Sequence, residues 1–132
     1  MTDELKLLIE ALENTNTYDR ENALIDLYFF LISSSCFLPK PENTFIFVEL
    51  SNWRDCSLRD GVEVYYETKD IDELSKLEKS MKKYDQQEVC SKFIEGIHIY
   101  QENDDFSYLD NWVIDNEWAI NDFLVELAKE QY

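Results

Sequence analysis

Few side chains in this 132-residue chain have the chemistry of catalysis or zinc binding. There is one histidine, His98, and the three cysteines, Cys36, Cys56 and Cys90, lie far apart in the sequence. A Cys–His pair would need the histidine to act as the base that activates the thiol, but no flanking motif accompanies either residue type. Zinc sites need several Cys and His ligands at short spacing, which this sequence does not supply. We therefore expect His98 to be an ordinary residue of a short strand.

Carboxylates are far more numerous, with 29 Asp and Glu residues. The oxygen-rich run from Glu102 to Asp105 lacks the alternating ligands, central glycine and closing glutamate of an EF-hand loop. Paired carboxylates serve glycoside hydrolysis, but with this many acids some pair will meet the required distance by chance. The sequence also has no glycine-rich phosphate loop, Walker sequence or Gly-x-Ser-x-Gly elbow. It therefore predicts a protein that is not an enzyme and has no metal or cofactor.

The most distinctive feature is the stretch from Phe93 to Ala128, which has nine carboxylates and neither Lys nor Arg. Large aromatic side chains lie among these acids, and Trp and Tyr often anchor interfaces. Carboxylates around such anchors pair with Lys and Arg of a partner. The residues expected to contact a partner are Glu102, Asp104, Asp105, Tyr108, Asp110, Asp115, Glu117, Trp118 and Asp122. We expect Tyr108 to be an exposed anchor, whereas Trp112, beside Val113, is expected in the core.

The net charge of −17 is unevenly distributed, since residues 93–132 hold ten acidic and only one basic side chain. This charge disfavours direct binding to nucleic acids and to anionic membrane surfaces, because phosphate binding needs Lys and Arg. It favours cationic proteins, whose association it can accelerate by about 10- to 10³-fold. The alternative is that the acidity serves only solubility.

The bulk composition is that of a folded protein, with 45% hydrophobic and 14% aromatic residues and only two glycines and two prolines. We expect one domain over residues 1–132. Three cysteines without a close pair are typical of a reducing compartment. The N-terminus does not have the pattern of a secretory signal, and the apolar run Ala23–Leu38 is too short and too interrupted to span a bilayer. These features predict a cytoplasmic protein.

Apolar residues at helical spacing predict helices over Asp3–Asn14 and from Asp19 to about Ser34, the second apolar nearly all round and therefore a buried core helix. Asp70 and Glu73 form a capping box that opens a third helix. A fourth helix begins near Asp85 and ends at Gly96. Further helices are expected from Ser107 and from Asp115 or Asn116.

Three segments have the composition of strands. Thr44–Leu50 is β-branched and aromatic, Val62–Thr68 alternates in polarity, and Ile97–Tyr100 is a short third candidate. The polar segment Ser51–Gly61 is expected to be a loop between the first two. The predicted fold is therefore α+β, with about five helices packed on a small, mainly antiparallel sheet of two to four strands.

In its size, acidity, single-domain composition and lack of a catalytic motif, the chain resembles the immunity proteins of bacterial polymorphic-toxin and contact-dependent growth inhibition systems. The likeness covers the whole chain and involves no shared motif. It implies tight binding to one cognate toxin, often a basic nuclease, with occlusion of the toxin's active site. We expect the protein itself to be a monomer or homodimer.

Two other functions remain open at this point. A DNA-mimic inhibitor would need carboxylates spaced like phosphates along an elongated face. An enzyme or small-ligand-binding domain would need a pocket that collects Cys56, His98 or a pair of carboxylates.

Overall fold

The structure is a computed structural model that describes residues 2–14 and 16–130. Over these residues it is all-helical and contains no strand. The α-helices are α1 (Asp3–Glu10), α2 (Thr17–Ser33), α3 (Pro41–Asp60), α4 (Val62–Glu67), α5 (Ile71–Met81), α6 (Glu88–Gln101), α7 (Ser107–Asp115) and α8 (Glu117–Lys129), and short 3₁₀ helices cover Ala11–Glu13 and Lys82–Tyr84.

The predicted α+β fold is wrong, because all three predicted strands lie in helices. Thr44–Leu50 and the predicted loop after it, as far as Asp60, are part of α3. The buried side chains there, Ile46, Phe47, Leu50 and Trp53, follow the helical spacing i, i+1, i+4, i+7. The local β-branched and aromatic composition indicated a strand, but burial of one continuous helical face overrides that propensity.

The other two predicted strands have the same explanation. Val62–Thr68 is helical as far as Glu67, and its buried residues Val62, Tyr65 and Tyr66 have the spacing i, i+3, i+4. Ile97–Tyr100 is the last full turn of α6, where Gly96 and Ile97 are buried. The prediction that the helix ends at Gly96 is wrong, because Gly96 lies inside α6.

Side chains cap the starts of α1 and α5. The Thr2 side chain accepts a hydrogen bond from the Leu5 N–H at 3.1 Å, which caps α1. Asp70 accepts from the Glu73 N–H at 2.8 Å, and the Glu73 side chain accepts from the Asp70 N–H at 3.3 Å. This reciprocal pair is the predicted capping box.

The described residues form two compact units. Unit 1 comprises the residues up to Ser51 together with those from Asn121 onward, and unit 2 is Asn52–Ile120. The prediction of one domain over residues 1–132 stays a prediction.

None of the helices in the described ranges is both long and apolar enough to cross a membrane.

Unit 1 is built around one face of α2. The face that carries Ala23, Leu24, Leu27 and Leu31 is buried. The opposite face carries exposed apolar side chains, so the prediction of a helix buried all round is wrong. Side-chain bonds across the unit include Asn43 Nδ2, which donates to the Leu127 carbonyl oxygen at 3.1 Å.

Unit 2 has an aromatic core that joins three helices. Trp53 on α3, Tyr66 on α4 and Phe93 on α6 are fully buried. The Trp53 indole N–H donates to the Tyr66 hydroxyl at 3.0 Å, and this hydroxyl donates to the Phe93 carbonyl oxygen at 2.8 Å. Because the indole N–H, the Tyr66 hydroxyl and the Phe93 carbonyl oxygen all have hydrogen-bond partners, these aromatic side chains are buried without an unsatisfied donor.

Candidate partner-binding surface

The predicted partner-binding residues fall in both units. Eight of the nine belong to unit 2, and Asp122 belongs to unit 1. Glu102, Asp104 and Asp105 are exposed in the connection between α6 and α7. Within unit 2 the remaining five lie on α7 or at the start of α8.

The two aromatic side chains predicted to contact a partner are exposed. Trp118 exposes 65% of its surface and Tyr108 exposes 57%. Trp112 is buried at 9% exposure, and its indole N–H donates to Glu88 Oε1 at 3.1 Å, so its predicted place in the core is confirmed. Ile114, two residues after Trp112 on the same helix, is 59% exposed.

One face of α7 presents polar and aromatic groups together. Tyr108, Asn111 and Asp115 are all exposed and have the spacing i, i+3, i+7. Residues at this spacing lie on the same side of a helix. The tyrosine and the carboxylate therefore belong to one continuous strip of α7.

A lysine that sequence reasoning missed contacts Tyr108. Lys92 Nζ donates to the Tyr108 hydroxyl at 2.6 Å, lies 4.7 Å from the centre of the ring, and is 3.4 Å from Glu95 Oε2. The hydrogen bond to Tyr108 is the main reason why the pKa of Lys92 is raised, and Glu95 adds to it. The only sequence signal is that Lys92 lies one residue before the cation-free stretch. Lys92 therefore places a positive charge beside the Tyr108 hydroxyl.

Asp110 has a role within the fold. Its Oδ1 accepts a hydrogen bond from the Val62 N–H at 2.7 Å, at the first residue of α4. The preceding Gly61 has φ of 99° and offers no side chain for capping. Because Asp110 is half-buried and caps a helix start, we leave it out of the partner-binding set.

Asp104 and Asp105 organise the connection before α7. Asp105 Oδ1 accepts from the Ser107 N–H at 3.0 Å and from the Ser107 hydroxyl at 2.8 Å. Both hydrogen bonds lower the pKa of Asp105, and the one from the Ser107 backbone N–H contributes more than the one from its hydroxyl. Asp104 Oδ1 accepts from the Asp105 N–H at 2.8 Å. Both carboxylates are thus held in place while they stay exposed to solvent.

Asp122 in unit 1 is already paired. Its Oδ1 lies 2.7 Å from Nη1 of Arg20 on α2. We therefore leave Asp122 out of the set as well. What remains is the acidic-aromatic surface, which consists of Glu102, Asp104, Asp105, Tyr108, Asp115, Glu117 and Trp118.

Among the described residues, Cys56 and His98 do not line a common cavity. Cys56 lines a cavity of about 310 Å³ with Arg59 and Lys69, whereas His98 is exposed on α6 and pairs with Glu78 of α5. Burial raises the pKa of the Cys56 thiol, which disfavours its nucleophilic form. In the part of the chain that the structure describes, no three His, Cys, Asp or Glu side chains lie close enough to hold a metal ion.

Comparisons with protein-family models, with curated proteins and with solved structures found no match to this chain. Its own residues are therefore the basis for assigning a function.

Proposed function

We propose that this protein is an immunity-type inhibitor that binds a cationic protein, such as a nuclease toxin, through the acidic-aromatic surface. The observation that carries the proposal is the 65% exposure of Trp118, which directly follows Glu117 and comes three residues after Asp115. An exposed tryptophan with carboxylates nearby in the sequence has the composition of an interface anchor with a polar rim.

The apolar groups of this surface supply the binding energy. A tryptophan side chain buries about 150–250 Å² when it is covered, and few side chains gain as much for so little lost rotamer freedom. Tyr108 adds a second exposed ring at 57% exposure. Covering these rings with a partner slows dissociation, which is where most differences in affinity arise.

The carboxylates supply selectivity for a positive partner. Glu102, Asp104 and Asp115 are exposed, and none of them has an ion pair among the described residues. A nuclease binds phosphates through Lys and Arg, so these carboxylates are suited to occupy the phosphate positions of its active site. Two of the predicted carboxylates, Asp110 and Asp122, are engaged within the fold, which does not favour the long phosphate-like row of a DNA mimic.

The proposal is tested by co-expressing this protein with the C-terminal domain of the protein encoded by the neighbouring gene, which the proposal expects to be a toxin. Wild type is expected to restore growth and to bind the purified toxin domain tightly. The variant Asp104→Asn/Asp115→Asn/Trp118→Ala should lose growth rescue and bind at least about 100-fold more weakly, because an anchor and two charges are removed together.

The matched control is Glu63→Gln/Glu67→Gln, which removes two exposed carboxylates of α4 in the same unit. It should rescue growth as well as wild type does. If the triple variant binds as tightly as wild type, or if the control loses as much affinity, the acidic-aromatic surface is not the binding site. If wild type binds no toxin encoded beside it, the immunity function is wrong.

A further inference from the structure

We infer that the outer face of α2 is a second docking surface, and that its occupant is an amphipathic, cationic helix of a partner protein. Four large apolar side chains form this face, which we call the α2 stripe. They are Tyr18, Ile25, Phe29 and Ile32, with exposed fractions of 72%, 42%, 58% and 51%. The stripe lies in unit 1 and the acidic-aromatic surface lies in unit 2, so the two can be tested separately.

Helical geometry places these four side chains in one row. At 3.6 residues per turn they fall within about 60° of arc, and Tyr18 and Ile32 are about 20 Å apart along the axis. The buried face centred on Leu27 is on the opposite side of the same helix. The α2 helix therefore has two apolar faces, of which the fold covers only one.

Ile25, Phe29 and Ile32 adjoin one another at i, i+4 and i+7, whereas Tyr18 lies two turns earlier with the exposed Asn22 in between. A contiguous apolar patch is typical of an interaction site, whereas single exposed apolar residues are ordinary. A helical partner fills such a row with its own apolar residues at i, i+3, i+4 and i+7. The 17-residue α2 helix is about 25 Å long, which is enough to support four turns of a partner helix.

The charges along α2 indicate the chemistry of the partner. Glu21 and Asp26 flank the stripe, on either side of the row, and Asp26 is exposed. The only basic residue of α2, Arg20, is directed to Asp122 at 2.7 Å. The stripe therefore has an acidic border, and a complementary partner must carry Lys or Arg beside its apolar residues.

The same charges argue against two other occupants. A second copy of this chain would bring two acidic borders together, and each copy carries a net charge of −17. A membrane-surface helix normally carries Lys or Arg on its polar face to meet anionic lipids, and α2 carries acids there. A cationic amphipathic helix complements both features, because its apolar residues pack on the stripe and its Lys or Arg residues pair with the flanking acids.

The test uses a defined probe, a fluorescein-labelled 18-residue peptide of leucine and lysine with leucines at helical spacing. A control peptide replaces every leucine by serine and keeps the charge. In anisotropy titrations at about 0.15 M salt, wild type should bind the leucine peptide at least about tenfold more tightly than the serine peptide, because burying even one or two leucines is worth that factor.

The variant Phe29→Ser/Ile32→Ser should lose at least about tenfold in affinity for the leucine peptide, with an unchanged circular dichroism spectrum, since both side chains are exposed. The control Ile71→Ser removes a side chain that is 77% exposed in unit 2 and should bind like wild type. The variant Asp104→Asn/Asp115→Asn/Trp118→Ala should also bind like wild type, which separates this surface from that of the proposed function.

Three results would overturn the inference. The first is equal peptide binding by wild type and the Phe29→Ser/Ile32→Ser variant. The second is an equal loss with Ile71→Ser, which would mean that the peptide binds elsewhere. The third is a wild-type dimer in analytical ultracentrifugation that this α2 variant dissociates, because the occupant would then be a second copy.

Discussion

The Tyr66 hydroxyl packs against Gly96 so closely that a Cβ at position 96 would overlap it. Gly96 is in the interior of α6, where glycine usually destabilises a helix relative to alanine by about 1 kcal/mol. Here the missing side chain lets Tyr66 reach the Phe93 carbonyl oxygen at 2.8 Å. The close approach between two helices explains the glycine.

Gly96→Ala is therefore expected to lower the free energy of unfolding by about 2–4 kcal/mol, although alanine favours helices. The added methyl group must displace a fully buried Tyr66, which overpacks the core and breaks the hydrogen bonds of its hydroxyl. Urea unfolding followed by circular dichroism measures the loss. Ser91→Ala, an exposed change on the same helix, should alter stability by less than about 0.5 kcal/mol. An unchanged unfolding midpoint for Gly96→Ala would contradict the close approach.

Tyr66 and Gly96 also illustrate why part of the fold could not be predicted from the sequence. The Asp70–Glu73 capping box was predicted correctly because its two partners are neighbours in the chain. The conformation at Gly96 depends on Tyr66, which is thirty positions away, so a helix stop was predicted instead. The segment Thr44–Leu50 was assigned to a strand for a similar reason, since its helical face is evident only when it is continued to Trp53.

For the candidate site, sequence predicted which residues are acidic but not what they are bonded to. Asp104 and Asp110 have the same side chain, yet only Asp110 bonds to a distant helix. The exposure of Trp118 and the burial of Trp112 follow from which face of a helix each occupies. Lys92 reaches Tyr108 because α6 and α7 pack together, and sequence spacing does not reveal that contact.

Asp110→Ala is expected to lower the free energy of unfolding by about 0.5–2 kcal/mol, because the first N–H of α4 loses its acceptor. Asp110→Asn keeps an acceptor oxygen and should recover most of the loss. Urea unfolding of the two variants measures both effects. If Asp110→Ala is as stable as wild type but binds the toxin domain poorly, then Asp110 belongs to the acidic-aromatic surface and not to the fold.

Lys92 should be the slowest of the lysines in unit 2 to react with acetic anhydride near pH 8. Its pKa is raised mainly by the hydrogen bond to the Tyr108 hydroxyl, so less of it is the reactive free amine. Competitive labelling with mass spectrometry gives the rate at each site, and exposed Lys79 is the internal reference. Tyr108→Phe removes the hydroxyl and should raise the rate at Lys92 alone. Equal rates at Lys92 and Lys79 in wild type would rule out the bond.

Cys90 is expected to resist alkylation in the folded protein. It is fully buried, and burial raises the pKa of its thiol from 9.0 to about 12. Iodoacetamide near pH 8 should therefore label Cys36, which is half-buried, well before Cys90, and all three cysteines should react in urea. Peptide mass spectrometry identifies the labelled sites. Labelling of Cys90 at the rate of Cys36 would show that α6 is not packed as described.

The raised pKa of Cys90 also makes the free energy of unfolding fall with pH in the alkaline range. A thiol whose pKa is raised on folding holds its proton more tightly in the folded state, so its contribution is complete below the unfolded pKa of 9.0 and is lost as the pH rises toward about 12. Burial also raises the pKa of Tyr66, which adds a loss of the same sign. The urea midpoint should therefore fall between pH 9 and pH 11, and Cys90→Ala should show a shallower fall from a lower starting stability. Parallel curves for the two proteins would mean that Cys90 ionises as readily in the folded state as in the unfolded chain.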